Sequence, residues 1–251
     1  MDAQTVAGHG GSASILQADY WWYRVRADLL RTVLADHVGR PGRLLDVGSA
    51  DGPSVDWLRG HARQHVALDV DPRGLGPGGV CGSATALPFA DGTFDAVGAF
   101  DVVEHCDPED LAMSELARVL RPGGTLMISV PAYQWAWSEF DDANGHHRRY
   151  TRARAVAACE RAGLRVDRAT YAFCAVFPFF AAQRVASRVS GALSRRTATT
   201  PADVVELPQV PALLDRVFTA LGRVDRRLLA RHDLPFGSSV VVVATKPRTT
   251  D

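Results

Sequence analysis

Leu16, Tyr20, Tyr23, Ala27, Leu30 and Leu34 recur at helical spacing, which predicts an amphipathic first helix within 15–40. It should stop at Gly39-Arg40-Pro41-Gly42, where glycine and proline oppose further helix. Short apolar runs follow at 43–47, 65–70, 96–100, 125–130, 164–171 and 239–245, with a shorter one near Val80. Turn residues close each run, and helical stretches separate them. Met113, Leu116, Ala117 and Leu120 form one such helical stripe. Strands alternating with helices predict an α/β domain whose mostly parallel sheet is covered on both faces. Residues 1–14, rich in Gly, Ser and Ala, read as a flexible lead-in, and 172–235 as a helical insertion or cap before the last strand. Inside that cap, 190–211 is the least regular stretch, and Leu214, Val217, Phe218, Leu221 and Leu228 mark a final helix. A single domain over 1–251 accommodates all of this.

Composition removes several alternatives. Lys+Arg and Asp+Glu both number 28, so no nucleic-acid partner held by bulk charge is expected. Cys81, Cys106, Cys159 and Cys174 are scattered without a C-x-x-C pair, which suggests neither a zinc knuckle nor a disulfide framework. The first residues lack the basic and apolar segments of a secretory signal, so a cytoplasmic setting is expected. The longest apolar stretch, 171–182, is too short to span a bilayer.

The first chemical motif is Leu44-Leu45-Asp46-Val47-Gly48-Ser49-Ala50-Asp51-Gly52-Pro53, a buried strand running into a glycine turn. Such a turn sits at the carboxyl end of a parallel strand, where open sheets bind ligands, and glycine lets a ligand approach the backbone. A dinucleotide fingerprint would want glycine at positions 50 and 53, which here are Ala50 and Pro53. The second strand ends in Asp69-Val70-Asp71, where a carboxylate can accept hydrogen bonds from ribose hydroxyls or simply close a turn.

These segments, together with Gly82-Ser83-Ala84, Phe94-Asp95, Asp101-Val-Val-Glu104-His105 and Glu115-Leu-Ala-Arg118-Val-Leu-Arg121-Pro-Gly-Gly124, resemble class I S-adenosylmethionine (SAM)-dependent methyltransferases. The likeness is to the branch that includes ubiquinone- and menaquinone-biosynthesis enzymes. It implies a Rossmann-like seven-stranded sheet with an antiparallel last strand, and SAM as methyl donor. By position, Asp46, Gly48, Ala50 and Gly52 would belong to the donor site, the glycine turn lying against the methionine moiety. Asp69 would hold the ribose, Val70, Ser83 and Ala84 the adenine, and Phe100 and Asp101 the floor beside the sulfonium. Arg26 on the first helix can meet the donor's carboxylate. Ser83 stands where the family usually has an acid, which implies weaker donor affinity.

On the acceptor side, His105 and His146 are the candidate bases; Glu104 and His105 could instead make structural hydrogen bonds at the strand end, or hold a divalent ion with Asp101, although no metal is assigned. The segment 135–151 follows the fifth strand, where methyltransferases often build an acceptor wall, and Thr151 reads as a helix cap. That segment, Trp21-Trp22-Tyr23-Arg24-Val25-Arg26 and Leu234-Pro235-Phe236-Gly237 resemble a bacterial methyltransferase subgroup linked with glycan or lipid assembly. The aromatic cluster at 21–23 is either core or lid. The apolar 171–182 run with Arg184, Arg188, Arg195 and Arg196 is either a buried helix or a membrane-surface patch. The sequence therefore predicts a methyltransferase for a small-molecule, lipid-linked or glycan acceptor, with transfer to oxygen. A non-catalytic SAM-binding protein and a nicotinamide-dependent oxidoreductase are the alternatives.

Overall fold

A computed structural model describes residues 19–49, 52–72, 75–191 and 210–248. The lead-in at 1–14, Leu16, Ala50, Asp51 and most of the irregular 190–211 stretch lie outside the described residues.

Seven strands form one sheet: β1 Arg43–Val47, β2 Gln64–Asp69, β3 Val80–Cys81, β4 Phe94–Phe100, β5 Leu120–Pro131, β6 Arg165–Ala172 and β7 Ser239–Thr245. Their spatial order is β3-β2-β1-β4-β5-β7-β6. β7 is antiparallel to both its neighbours, while the β1–β2, β1–β4, β2–β3 and β4–β5 pairings are parallel. The chain leaves β1 in one direction toward β3 and returns to its other side at β4. That reversal makes the β1/β4 crevice the ligand position of a doubly wound sheet. Phe-Asp-Ala-Val-Gly-Ala-Phe in β4 and the valine run in β7 are almost wholly buried, as strands covered on both faces must be.

Among the described residues there are seven α-helices: α1 Trp21–Val38, α2 Gly52–Arg59, α3 Glu109–Val119, α4 Glu139–Ala143, α5 Arg152–Arg161, α6 Phe177–Gly191 and α7 Ala212–Leu229. α1 starts at Trp21, after Tyr20 in extended backbone, so its described part is shorter than the 15–40 window. Thr151 caps α5 as expected, its hydroxyl accepting the Arg154 N–H. Leu120, grouped by periodicity with the α3 stripe, instead opens β5 opposite Phe94.

The aromatic cluster on α1 packs as core. Trp21 and Tyr23 are buried, and Trp21 lies 4.8 Å from Phe218 on α7. α7 comes this close because Gly222 has no side chain; a Cβ there would stand 2.4 Å from Val25. Buried Asp225 accepts the Ala175 N–H, and Asp215 pairs with Arg24, so α7 is tied to both α1 and the end of β6.

The Glu115–Gly124 motif is a structural clasp. Arg118 binds Glu115, Asp91 and the carbonyls of Leu87 and Phe89, and Glu115 accepts the Leu87 N–H, which pins the loop after β3 to α3. Arg121 pairs with Asp95, while Gly123, at φ 78°, donates its N–H to the Lys246 carbonyl. These polar residues fix the strand order that builds the crevice.

Candidate functional site

Four strands end in left-handed turns on the same edge of the sheet. Gly48 follows β1 at φ 73°, Asp101 follows β4 at 57°, Tyr133 lies beyond β5 at 61° and Phe173 follows β6 at 61°. Asp101, Tyr133 and Phe173 are the only non-glycine residues with positive φ among those described. Such strain costs roughly 1–3 kcal/mol per residue and persists where the surroundings enforce it, characteristically at binding sites.

Gly48 has a reason beyond ligand approach. Its N–H reaches the Leu68 carbonyl at 2.8 Å, locking the β1 tip to β2. A Cβ would stand 2.4 Å from Val102 Cγ2, so the missing side chain makes room for Val102 rather than for a ligand alone. Gly48→Ala should therefore lower stability by about 2–4 kcal/mol, from overpacking plus left-handed strain. Thermal unfolding checks it: Val102→Ala should restore the steric part in the double variant, and an unchanged midpoint for Gly48→Ala would disprove the contact.

The donor-side residues sort into two groups. Asp46 is buried within β1, with its Oδ2 3.7 Å from His65 Nε2 on β2, and burial raises its pKa. Ala84 and Phe100 are core residues. Ser83 Oγ is engaged locally, accepting the Thr85 N–H and sharing a hydrogen bond with Thr85 Oγ1 at 2.8 Å. The second group faces the strand ends. Asp69 at the β2 tip receives the Asp71 N–H on Oδ1 at 2.8 Å, which fixes the carboxylate's orientation. Val70 beside it is 60% exposed, an apolar face next to a carboxylate. Ser49, missed by the sequence reading, is 1% exposed, and its Oγ has no hydrogen-bond partner among the described residues. A buried hydroxyl in this state calls for a polar ligand. These three fit an adenosyl amino acid: Asp69 for ribose hydroxyls, Val70 for a base, Ser49 for a polar group in the glycine turn.

Arg26 is anchored within the protein. Its Nη2 lies 2.7 Å from Asp101 Oδ2 and 3.2 Å from Ser129 Oγ, while Trp22 stacks beneath the guanidinium. Ser129 Oγ in turn donates to Asp101 Oδ1 at 3.1 Å. This network holds Asp101 in its left-handed conformation between the tips of β4 and β5.

Beyond Asp101 the two candidate bases meet. His105 closes the 3₁₀ turn Val103–His105, and His146 follows α4; their ring centroids are 4.6 Å apart, edge to face. The His147 N–H donates to the Glu104 carbonyl at 2.8 Å, which joins the two segments. His146 Nδ1 lies 2.8 Å from Oδ1 of Asp141, which is wholly buried. Asp141 also takes Arg149 Nε at 2.7 Å and Nη2 at 3.1 Å, and caps α4 through Ser138. Hydrogen bonds from His146 and Arg149 hold its carboxyl well below the usual range despite burial. An ionised Asp141 can only accept, so His146 carries a proton on Nδ1 and its Nε2 is the ring nitrogen left to face another group. His105 is pushed down from 6.5 to about 4, by burial first and by His146 second, so its imidazole is neutral. Glu104, His105 and His146 also bring potential ligand atoms within 4.8 Å of one another, enough to hold a metal ion.

An aromatic cluster lies past the end of β5. Tyr133 stacks on Tyr171 at 5.4 Å and on Trp135 at 5.9 Å, and Phe177 at the start of α6 closes on Tyr133 at 5.5 Å and Phe236 at 5.6 Å. Of this cluster, Trp135, Tyr171, Phe177 and Phe236 fall in segments that the sequence singled out, and Tyr133 does not.

Residues 45–128 match the methyltransferase domain family. A demethylmenaquinone methyltransferase of Mycolicibacterium vanbaalenii is 36% identical across 45% of this chain and 50% of its own. The chain thus matches about half the length of that curated relative. Among solved structures, the Haloferax volcanii complex containing the Trm112 methyltransferase activator superposes with a TM-score of 0.58 at 16% identity, covering 94% of both chains. The N-methyltransferase NodS of Bradyrhizobium japonicum, in complex with S-adenosyl-L-homocysteine, gives 0.51 at 13% identity over 91% of this chain and 88% of its own. At such identities the likeness is one of fold.

Proposed function

We propose that this chain, which belongs to the class I SAM-dependent methyltransferases, transfers the SAM methyl group to a hydroxyl on a flat, apolar small molecule of quinol type or a lipid-linked analogue. One observation supports the reading: the glycine turn, Asp69, Asp101 and the His105–His146 pair all follow strand ends at the same edge of the sheet. SAM supplies an electrophilic methyl carbon on a sulfonium. The protein's work is then alignment and removal of the acceptor's proton. Ser49, Asp69 and Val70 hold the donor, and Asp101 lines the floor with Arg26 behind it. The wall of Tyr133, Trp135, Tyr171 and Phe177 suits an aromatic acceptor through stacking. As the acceptor oxygen bonds to the methyl carbon and the carbon–sulfur bond breaks, the hydroxyl proton passes to His146 Nε2. S-adenosylhomocysteine leaves.

The relative named for demethylmenaquinone favours a quinone-type acceptor over a glycan. Calorimetric titration tests the donor half: SAM should bind and NAD should not, and Asp69→Ala should weaken SAM by about tenfold or more, since hydrogen bonds to a carboxylate are each worth about 1.5–3 kcal/mol. Unchanged SAM affinity in Asp69→Ala would reject the donor placement. Production of S-adenosylhomocysteine with reduced quinones tests the acceptor half, and SAM binding without turnover on any hydroxyl acceptor would instead favour a non-catalytic SAM-binding protein.

A further inference from the structure

One face of α7 is left exposed by the described residues. A helix turns about 100° per residue. Leu213, Val217, Val224 and Leu228 therefore fall within an arc of about 60° and run about 22 Å along the helix. They are 72%, 37%, 43% and 43% exposed. The opposite side, with Gly222, Asp225 and Leu229, is the one packed on the protein. Arg216, Arg223 and Arg227, all exposed, form a second row directly beside the apolar one. The helix's two acids are absent from this outer half, because Asp215 pairs with Arg24 and Asp225 is buried against Ala175. α6 continues the surface: it contains no acid, exposes Phe179 and Val185, and touches α7 where Phe179 meets Phe218 at 5.8 Å.

We infer that the outer faces of α7 and α6 dock on an anionic lipid bilayer, with the leucine and valine stripe in the acyl boundary and the arginines at the headgroups. A straight apolar stripe flanked by cations matches a planar interface, whereas a groove-binding partner would need concavity. Charge decides the occupant. A second copy apposed on this face would set arginine rows against one another without an acid to pair them, and anionic headgroups supply the missing sign. No described helix is long and apolar enough to cross a membrane, so the contact lies in the surface plane. α6 begins at Phe177 on the aromatic wall, and Trp135 and Phe236 at its rim are each 41% exposed. Docking brings that rim to the lipid. Delivery of the acceptor from the bilayer rests on the proposed function; the docking itself does not.

Co-sedimentation of the full chain with extruded vesicles tests it, using phosphatidylcholine alone and phosphatidylcholine mixed with phosphatidylglycerol. Binding is expected to the mixed vesicles and to weaken as salt is raised. Leu213→Ser with Val224→Ser should lower the partition coefficient about tenfold or more, through lost apolar burial, at an unchanged thermal midpoint. Arg223→Gln with Arg227→Gln should reduce binding to the mixed vesicles only. Three results would overturn the inference: no sedimentation of the wild type with anionic vesicles, equal binding by the serine variant, or binding that emerges only when residues 192–209 are replaced by a short linker. The last would assign the stripe to that segment. Turnover is not measured here, so an acceptor assignment that fails leaves this result standing.

Discussion

Asp141→Asn is expected to cost about 3–5 kcal/mol of stability, which corresponds to a drop in Tm on the order of 10 °C for a chain of this length. The substitution keeps the shape and removes the charge. Arg149, 5% exposed, then remains buried with the one carboxylate it pairs with among the described residues neutralised. The α4 cap weakens at the same time, because Asp141 Oδ2 receives both the N–H and the hydroxyl of Ser138. The sign of the pH dependence follows from the lowered carboxyl pKa. A carboxyl whose folded-state pKa is depressed stabilises fully above its unfolded value of about 3.9 and loses that contribution as pH falls toward the folded value. The gap between wild type and variant should thus be constant through neutral pH and narrow below about pH 4. Chemical denaturation at both pH values measures it. Equal stability of the two proteins at pH 7 would mean that Asp141 is not the anchor of this segment.

What the sequence made legible divides along physical lines. Strands β1, β4 and β7 announce themselves because continuous apolar runs bounded by turns admit few other readings. The glycine turn and Asp69 are visible because both belong to one local strand–turn unit. The start of β5 was not, since Leu120 satisfies the helical stripe of α3 as well as it satisfies a strand, and only its pairing with Phe94 decides. Ser49 was passed over because a serine in a turn is ordinary until burial leaves its hydroxyl without a partner. Arg26 was legible only through the family resemblance, which gives its helix a place over the donor; its ion pair with Asp101 is a contact across the sheet that no local pattern encodes. Asp141 lies in the 135–151 segment, but its hold on both Arg149 and His146 depends on a tight chain reversal after α4.

The family signature carries a related lesson. The Arg118–Gly124 turn is the most specific piece of the resemblance, and its side chains do no chemistry; they clasp the loop after β3, α3 and the strands that frame the crevice. The proposed acceptor side draws instead on turns after β4, β5 and β6 that lie far apart in sequence. Motif matching therefore reports the donor and is nearly silent on the acceptor.

His146→Ala is expected to lower kcat with a hydroxyl acceptor by about 10²–10⁴-fold while leaving SAM affinity within about twofold. The split is diagnostic. If His146 merely supported the fold, donor binding and thermal stability would fall together with turnover. As a base it acts only on the acceptor's proton, so the loss should appear in kcat, with equilibrium binding of the donor spared. His146→Gln, which can still bond to Asp141, should keep the loop in place and remain as slow as the alanine variant. His105→Ala should have a smaller effect, because its ring packs edge-on against His146 and orients it, whereas Asp141 fixes the proton on Nδ1. Steady-state kinetics with a reduced quinone, alongside calorimetry with SAM, separates these outcomes. Full activity of His146→Gln would remove the proton-transfer role and leave alignment alone to account for the rate.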